Sequence, residues 1–342
     1  MGRIYSGNEW SAIVGIADND AGSSAGAVGA ATQDANAVSG SKFLMRVNSP
    51  VNDFVWGGGY QRAEIARAGS RTLRAEDIIN HYGSGVWTWD FDWVVDNEKG
   101  IQNLVELMYP NHGGTITTSI TYPAAPTVND LSHLETTETV SKLAFIILQN
   151  PLTSRDHYMH SANLQNLTLS MDAGTNGGQL NASGQFMTGY KPIIEANTVT
   201  ADTSASDYSK GLFDCTTSTF GGDAAVVKSF SVTIDNPATR VGYQGSSGET
   251  DGYSRAGAFG ITGSITMKAD SLQQANKDTF WEANTEAAIA LGDGTNIDFS
   301  IPKANISDYS LDMAEEGIFA TVAFTATSGD DAGSSLATLK FT

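Results

Sequence analysis

With 342 residues the chain is long enough for two ordinary domains or one large β domain, and can bury a sizeable core either way. Asp and Glu number 38 against 19 Lys and Arg, a net charge of −19, which excludes tight phosphate binding because nucleic-acid affinity comes mainly from Lys and Arg displacing counterions. A single cysteine, Cys215, excludes an intrachain disulfide framework, and no stretch is long and apolar enough for a signal peptide or a membrane span, so the chain is expected to be made and assembled in a cytoplasm.

At the N-terminus, Met1-Gly2 followed by Ser6 fits a myristoylation pattern, at about the rate of chance matches. Ala17 to Ser41 is a run of Gly, Ala, Ser, Asn and Asp without helical or strand periodicity, expected to be an arm that orders only against a neighbour. Phe43 to Val47 predicts a short strand, Trp56 to Tyr60 a turn flanked by aromatics, and strands resume near Ala63. The clearest strand in the first half follows. Trp87, Trp89, Phe91, Trp93 and Val95 alternate with Thr88, Asp90, Asp92 and Val94, giving one apolar and one mostly polar face. Ile101, Leu104, Val105 and Met108 then fall at helical spacing, predicting a short amphipathic helix from Asn97 to Tyr109 stopped by Pro110. Strand-like runs return at Thr115 to Tyr122 and Thr139 to Leu148.

Part of the chain is then written twice. Ala162 to Met171 (ANLQNLTLSM) aligns with Ala304 to Met313 (ANISDYSLDM) at a constant offset of 142 residues. After a loop four residues longer in the first copy, Leu180 to Phe186 aligns with Ile318 to Phe324 at an offset of 138, and each copy predicts a strand, a turn and a returning strand. Upstream, Trp87 to Asp96 lies on Ile261 to Asp270, each followed by a helix-like stretch. Duplication of a small β unit suits symmetric assembly better than a single catalytic cleft. The second half is reached through a polar, turn-rich linker, Glu195 to Asp223. Phe230, Val232 and Ile234 alternate with Ser231 and Thr233 up to Asp235-Asn236-Pro237, a strand stop. A Gly-rich excursion, Ala238 to Gly257, leads to a strand with Phe259, Ile261, Ile265 and Met267 on one face, where Gly263 marks a bulge or a close backbone approach. Asp270 can cap a helix to about Asn284, and strands follow at Ile297 to Pro302, Asn305 to Met313, Ile318 to Thr325 and Leu336 to Phe341.

Candidate chemistry is thin, and no catalytic residue, cofactor or metal is expected. Gly22-Ser23-Ser24-Ala25-Gly26 satisfies the nucleophile-elbow spacing without the strand and helix that would strain the serine. His157 and His160 lack a third zinc ligand and read as a turn or strand edge. Asp18, Asn19 and Asp20, and Asp293 to Asp298, resemble calcium-loop fragments without the completing glutamate. Cys215 has no partner motif and reads as an incidental thiol. Asp90 and Asp92 have the look of a glycosidase pair, but parity puts them on the face opposite Trp87, Trp89 and Trp93, so the aromatics read as core and the acids as surface.

Val227 to Asn236 (VKSFSVTIDN), a variable loop, then Gly260 to Met267 (GITGSITM) resembles the pattern of major tail tube proteins of long-tailed phages. The similarity runs through the helix after Asp270, the Ile301-Pro302 strand end and the closing pair around Leu311 and Phe324. It covers Val226 to Thr342 well and Trp87 to Gly189 more weakly. The resemblance implies a mainly β protein of two related tail-tube-type β-sandwich or barrel lobes, an internal duplication, each lobe with one short α-helix. The expected boundaries are an N-terminal arm over 1–60, a first lobe over 61–194, a linker over 195–223 and a second lobe over 224–342. It also implies a virion protein whose rings stack into a tail tube, with DNA passing through the lumen without specific binding. A ring of three duplicated subunits with pseudo-six-fold symmetry is expected, or one of six; tail terminator, tape measure and distal tail proteins are the implied partners. Assembly strands are then Trp87, Trp89, Phe91, Trp93, Phe230, Val232, Ile234, Ile261, Ile265 and Met267. Arg240, Tyr243, Tyr253 and Arg255 fall on the excursion expected to connect rings, together with the arm from Ala17 to Ser41, and Asp90 and Asp92 are first choice for lumenal acids. The competing readings are a surface adhesin or carbohydrate-binding module, with Trp and Tyr as sugar platforms, and more distantly a hydrolase at Ser24.

Overall fold

The computed structural model describes residues 10–18, 42–47, 60–65, 78–82, 85–108, 119–123, 142–150, 155–195, 199–201, 207–241, 252–257, 260–270, 275–314, 317–327 and 335–342. Within them the protein is mainly β, with sixteen strands joined in one antiparallel sheet, two separate two-stranded ribbons and two helices. In chain order the strands are β1 (Ser11–Asp18), β2 (Phe43–Met45), β3 (Tyr60–Glu64), β4 (Ile78–Tyr82), β5 (Trp87–Val94), β6 (Ser119–Pro123), β7 (Lys142–Gln149), β8 (Asp156–Asp172), β9 (Asn181–Thr188) and β10 (Ile193–Glu195). They continue with β11 (Thr217–Phe220), β12 (Asp223–Ala224), β13 (Val227–Asp235), β14 (Ala238–Val241), β15 (Gly252–Arg255), β16 (Gly260–Lys268), β17 (Ala287–Gly292), β18 (Ile297–Ala314), β19 (Gly317–Ala326) and β20 (Ser335–Phe341). Helix α1 (Glu98–Met108) follows β5, and α2 (Lys277–Glu282), wound as a π-helix, follows β16.

The spine of the sheet is a run of seven hydrogen-bonded strands in the order β5, β9, β8, β13, β16, β19, β18. β13 bonds to β8 on one side and β16 on the other, so the two halves of the chain share one continuous sheet. Burial follows the period of two that the sequence carries: in β5, Trp87, Trp89, Phe91 and Trp93 are buried while Thr88, Asp90 and Asp92 are exposed. β8 and β18 are long enough to serve two sheet segments each. The first half of β8 pairs with β7 and β10, and β7 continues to β1 and β2; the first half of β18 pairs with β17 and β20, and β17 continues to β11 and β12.

The registers of these two groups coincide pair by pair. Leu164 faces Phe186 and Ile306 faces Phe324, and a bulge follows each pair, before Asn166 and before Asp308. Trp89 faces Phe186 where Gly263 faces Phe324, and Trp93 faces Ala182 where Met267 faces Ala320. Ala144 faces Ala162 where Ala287 faces Ala304, again with a register shift beside each. Ser11 opposite Gln149 matches Thr217 opposite Gly292, and Val14 opposite Phe43 matches Phe220 opposite Asp223. Even the single bridge from Val47 to Trp93 has its counterpart in Val227 and Met267.

Several elements differ from their sequence expectation for physical reasons. Ser11–Asp18 pairs along its whole length with β7 and buries Ala12, Val14 and Ile16, although it lies within the arm expected over 1–60 and its last two residues belong to the tract from Ala17 to Ser41. β11 lies within the expected linker; of its four residues only Phe220 is buried, so the Thr-rich segment carries almost no apolar signal and is held by pairing with β17. Pro302 does not break β18 in two. It falls in the register shift between Ile301 and Ala304, where the ladder needs no donor from it. Gly263 makes a close approach and not a bulge: a Cβ there would stand 2.4 Å from the Ser231 carbonyl oxygen and 2.5 Å from the Phe324 ring.

The apolar faces of the spine and of the flanking strands enclose one main core, in which Trp89 stacks on Phe186 and Phe230 packs against Phe299 and Phe324. α1 is sunk into it, with Ile101, Leu104, Val105 and Met108 inaccessible to solvent. Asn97 caps its N-terminus by accepting from the Gly100 N–H at 2.9 Å, and Gln102 donates to the Phe341 carbonyl oxygen, tying the helix to β20. α2 is mostly exposed and packs through Phe280 on Phe220.

Candidate assembly surfaces

With one face of the spine in the core, the other presents what the alternation leaves over. Asp90 and Asp92 point outward from β5, and Gln185 and Asn181 of β9 donate to them, each at 2.7 Å. Thr168 and Thr233 hydrogen-bond across β8 and β13 at 2.8 Å, and Thr266 and Thr321 across β16 and β19 at 3.1 Å. The result is a broad sheet of hydroxyls and amides with carboxylates at Asp90, Asp92, Asp172, Asp235, Asp308 and Asp312. Desolvation by its neighbours raises the pKa of Asp235. Cations are scarce on this face: Lys268 is exposed, and the Lys228 ammonium sits 4.6 Å from the centre of the Phe319 ring. Such a surface repels phosphate and offers no row of bases to hold it.

The apolar residues expected on assembly strands all face inward. Trp87, Trp89, Phe91, Trp93, Phe230, Val232, Ile234, Ile261, Ile265 and Met267 are at most 4% exposed and belong to the core. What these strands offer a neighbour is backbone. Among the described residues β5 pairs with β9 on one side and meets only Val47 on the other, and β18 beyond Ala304 pairs with β19 alone. Trp87, Trp89 and Trp93 are therefore not available as sugar platforms.

On the excursion after β13, Tyr253 is 3% exposed, and burial pushes its phenol up to about 12. The hydroxyl donates to the Ser161 carbonyl oxygen at 2.5 Å and accepts from the Gly189 N–H at 3.1 Å. Ser161, with φ at 50°, is the point where β8 turns from one set of partners to the other, so Tyr253 pins the β14–β15 ribbon to that bend. Arg240 Nη1 donates to the Gly85 carbonyl oxygen at 2.7 Å. Arg255 ends β15 opposite Ala238, and Tyr243 lies outside the described residues.

The spine ends differently at its two hairpins. Leu169, Met171 and Leu180 of β8 and the β8–β9 turn are 0%, 2% and 0% exposed, whereas Leu311, Met313 and Ile318 of β18 and β19 are 47%, 77% and 46% exposed. Sequence reasoning named Leu311 only in the closing pair with Phe324 and did not expect these three to be exposed, since each aligns with a member of the first, buried set.

The discounted chemistry resolves into structure. His157 and His160 are buried within β8, and burial pushes His160 down to about 4, with its Nδ1 unpaired among the described residues. Around Asp293, burial would raise the pKa, but the Asn296 side chain and the N–H groups of Ile297, Thr295 and Asn296 hydrogen-bond its oxygens and hold it well below the usual carboxylate range. Burial, then the carboxylates of Asp214, Asp293 and Asp298, push Cys215 up to about 12, which makes an unreactive thiol. Asp18 ends β1, while Asn19, Asp20 and the tract containing Ser24 lie outside the described residues. No group of three His, Cys, Asp or Glu side chains among the described residues is arranged to hold a metal ion.

A profile of the family described as phage tail tube protein matches residues 112–341. A search of curated proteins found no match.

Proposed function

The chain belongs to the phage tail tube protein family, a structural family of the virion tail and not an enzyme family, and from that premise we propose how it builds a tube. The chain carries one β unit twice, over about 11–195 and 217–341, and three copies close a ring with pseudo-six-fold symmetry; a ring of six copies is the alternative. Rings stack into the tail tube, the β14–β15 excursion and the tract from Ala17 to Ser41 connect one ring to the next, and terminator, tape measure and distal tail proteins meet the tube as the family resemblance implies. The polar face of the spine lines the channel through which DNA leaves.

The observation that carries this reading is the spine itself: seven continuous strands with a core on one side, a carboxylate-bearing polar face on the other and, among the described residues, outer edges along β5 and along β18 past Ala304 that no further strand covers. Closure of edge to edge removes the aggregation liability of exposed strands. Acids along a channel repel phosphate, so DNA slides instead of binding. Negative-stain microscopy of concentrated protein is expected to show rings or tubes with three-fold symmetry, and monomers at all concentrations would refute assembly. Replacing Asp90 and Asp92 together with Lys is expected to slow DNA ejection and make it salt-dependent, whereas unchanged ejection kinetics would move these acids out of the lumen.

A further inference from the structure

Of all the asparagines in the chain, Asn176 alone is followed by glycine. It sits in the β8–β9 turn, where Asn176, Gly177 and Gly178 have φ of 50°, 64° and 77°. Glycine is at home in that left-handed region, and asparagine tolerates it better than most side chains. Asn176 and Gly177 are both exposed, and a Cβ built on Gly177 would meet nothing within 4 Å. Neither the Asn176 carboxamide nor the Gly177 N–H has a hydrogen-bond partner among the described residues. Two bonds cross the pair: the Gly178 N–H donates to the Thr175 carbonyl oxygen at 2.9 Å, and the Gln179 N–H to that of Asn176 at 3.3 Å, a long and therefore weak bond. An electrophilic amide carbon and the backbone nitrogen of the next residue thus stand in water with little packed around them. Asp293 is the opposite case. It too precedes a glycine, but its carboxylate accepts from the N–H groups of Thr295, Asn296 and Ile297, which hold it ionised and fixed in place.

We propose that Asn176 is a site of spontaneous covalent modification, deamidated in the folded protein to a mixture of isoaspartate and aspartate. The Gly177 nitrogen attacks Cγ of Asn176, the bond from Cγ to the carboxamide nitrogen breaks, and ammonia leaves carrying the proton that the Gly177 N–H gave up. The five-membered succinimide so formed takes up one water. Opening at Cγ leaves aspartate, and opening at the backbone carbonyl leaves isoaspartate, in which the main chain runs through the side chain and is one carbon longer. Water is the only co-reactant, and assembly plays no part in the chemistry. Either product adds a negative charge to this turn, where the corresponding turn of the second hairpin already carries Glu315 and Glu316. Isoaspartate also lengthens the link ahead of Gly178, which lies against the Phe213 ring, and of Gln179, which bridges to Gly211, so it loosens the fit of the turn to the 207–214 segment.

Ageing the folded wild-type protein in mildly alkaline buffer made with heavy-oxygen water reads the reaction without mutation. Peptide mass spectrometry with electron-transfer fragmentation is expected to find the heavy oxygen in a new carboxylate at residue 176, as isoaspartate and aspartate, accumulating in proportion to hydroxide concentration. Asn166 and Asn181, which lie in the paired strands of the same hairpin, are expected to stay unlabelled over the same period. The aged protein is expected to bind an anion exchanger more tightly, by the step that one added carboxylate gives. Asn176→Gly, which suits the positive φ, is expected to lose both the label and the shift in elution while keeping the circular dichroism of the wild type. An Asn176 that stays intact in the folded protein while the urea-unfolded chain converts overturns the assignment, because the turn then protects it. Labelling of Asn166 or Asn181 as fast as Asn176 overturns it as well.

Discussion

The β8–β9 and β18–β19 hairpins share their register down to the position of the bulge, yet at its closed end one buries Leu169, Met171 and Leu180 while the other leaves Leu311, Met313 and Ile318 exposed. Register is a property of the two strands and of the residues that alternate along them, whereas burial belongs to whatever lies alongside. Related sequences thus acquire different energetic roles: Leu169 holds the monomer together, and Leu311 contributes little to it.

The largest test of that contrast is a pair of truncations. Leu169→Ala is expected to lower unfolding stability by about 2–5 kcal/mol, the range for emptying a packed site, while Leu311→Ala changes the unassembled protein by less than about 1 kcal/mol. Urea denaturation of dilute protein compares them, and equal losses would erase the distinction.

The next largest concerns His160, whose aligned position in the second copy is Pro302 and cannot titrate. Its folded pKa, about 4, lies below the ordinary value of 6.5 because burial penalises the charged form. The unfolded chain therefore binds the proton first. Stability is unaffected by this group above about pH 6.5 and falls as pH drops from there towards 4, by up to about 3 kcal/mol. Thermal melts across that range are expected to show the loss in wild type and a flatter profile in His160→Phe.

Gly263 and Trp89 occupy matching places opposite Phe324 and Phe186. Trp89 stacks on its partner at 6.0 Å between ring centres, while at Gly263 the Phe324 ring and the Ser231 carbonyl take the space a side chain would fill. Gly263→Ala is expected to destabilise by about 1–3 kcal/mol through overpacking, and a neutral result by calorimetry would mean that Phe324 moves aside freely.

The smallest effect separates the helices. Asn97 caps α1 through its side chain, whereas Asn276 gives α2 no such bond. Asn97→Ala is expected to cost about 1 kcal/mol and Asn276→Ala less as a capping effect, measured by the same melts.

Local alternation made much of the fold legible in advance: the Trp strand, β13, β16, α1 and both hairpins could be read because each carries its periodicity within a few residues. β11, β12 and β17 were not, since their short Thr-, Ser- and Ala-rich segments are strands only by virtue of the neighbours that bond to them. Of the assembly surfaces, the outward position of Asp90 and Asp92 followed from parity. That Tyr253 is buried did not, because its pocket is made by Ser161 and Thr188 from the other half of the chain.

By itself the sequence determined the β class, the faces of the long strands and the poverty of basic charge, all of which depend on residue type and spacing along the chain. Only the tertiary structure decided that β13 would join both halves into one sheet and that Leu311, Met313 and Ile318 at the end of the second hairpin would stand exposed. Those outcomes depend on which distant strand supplies the next row of hydrogen bonds, and the alternation of side chains along a strand does not encode its partner.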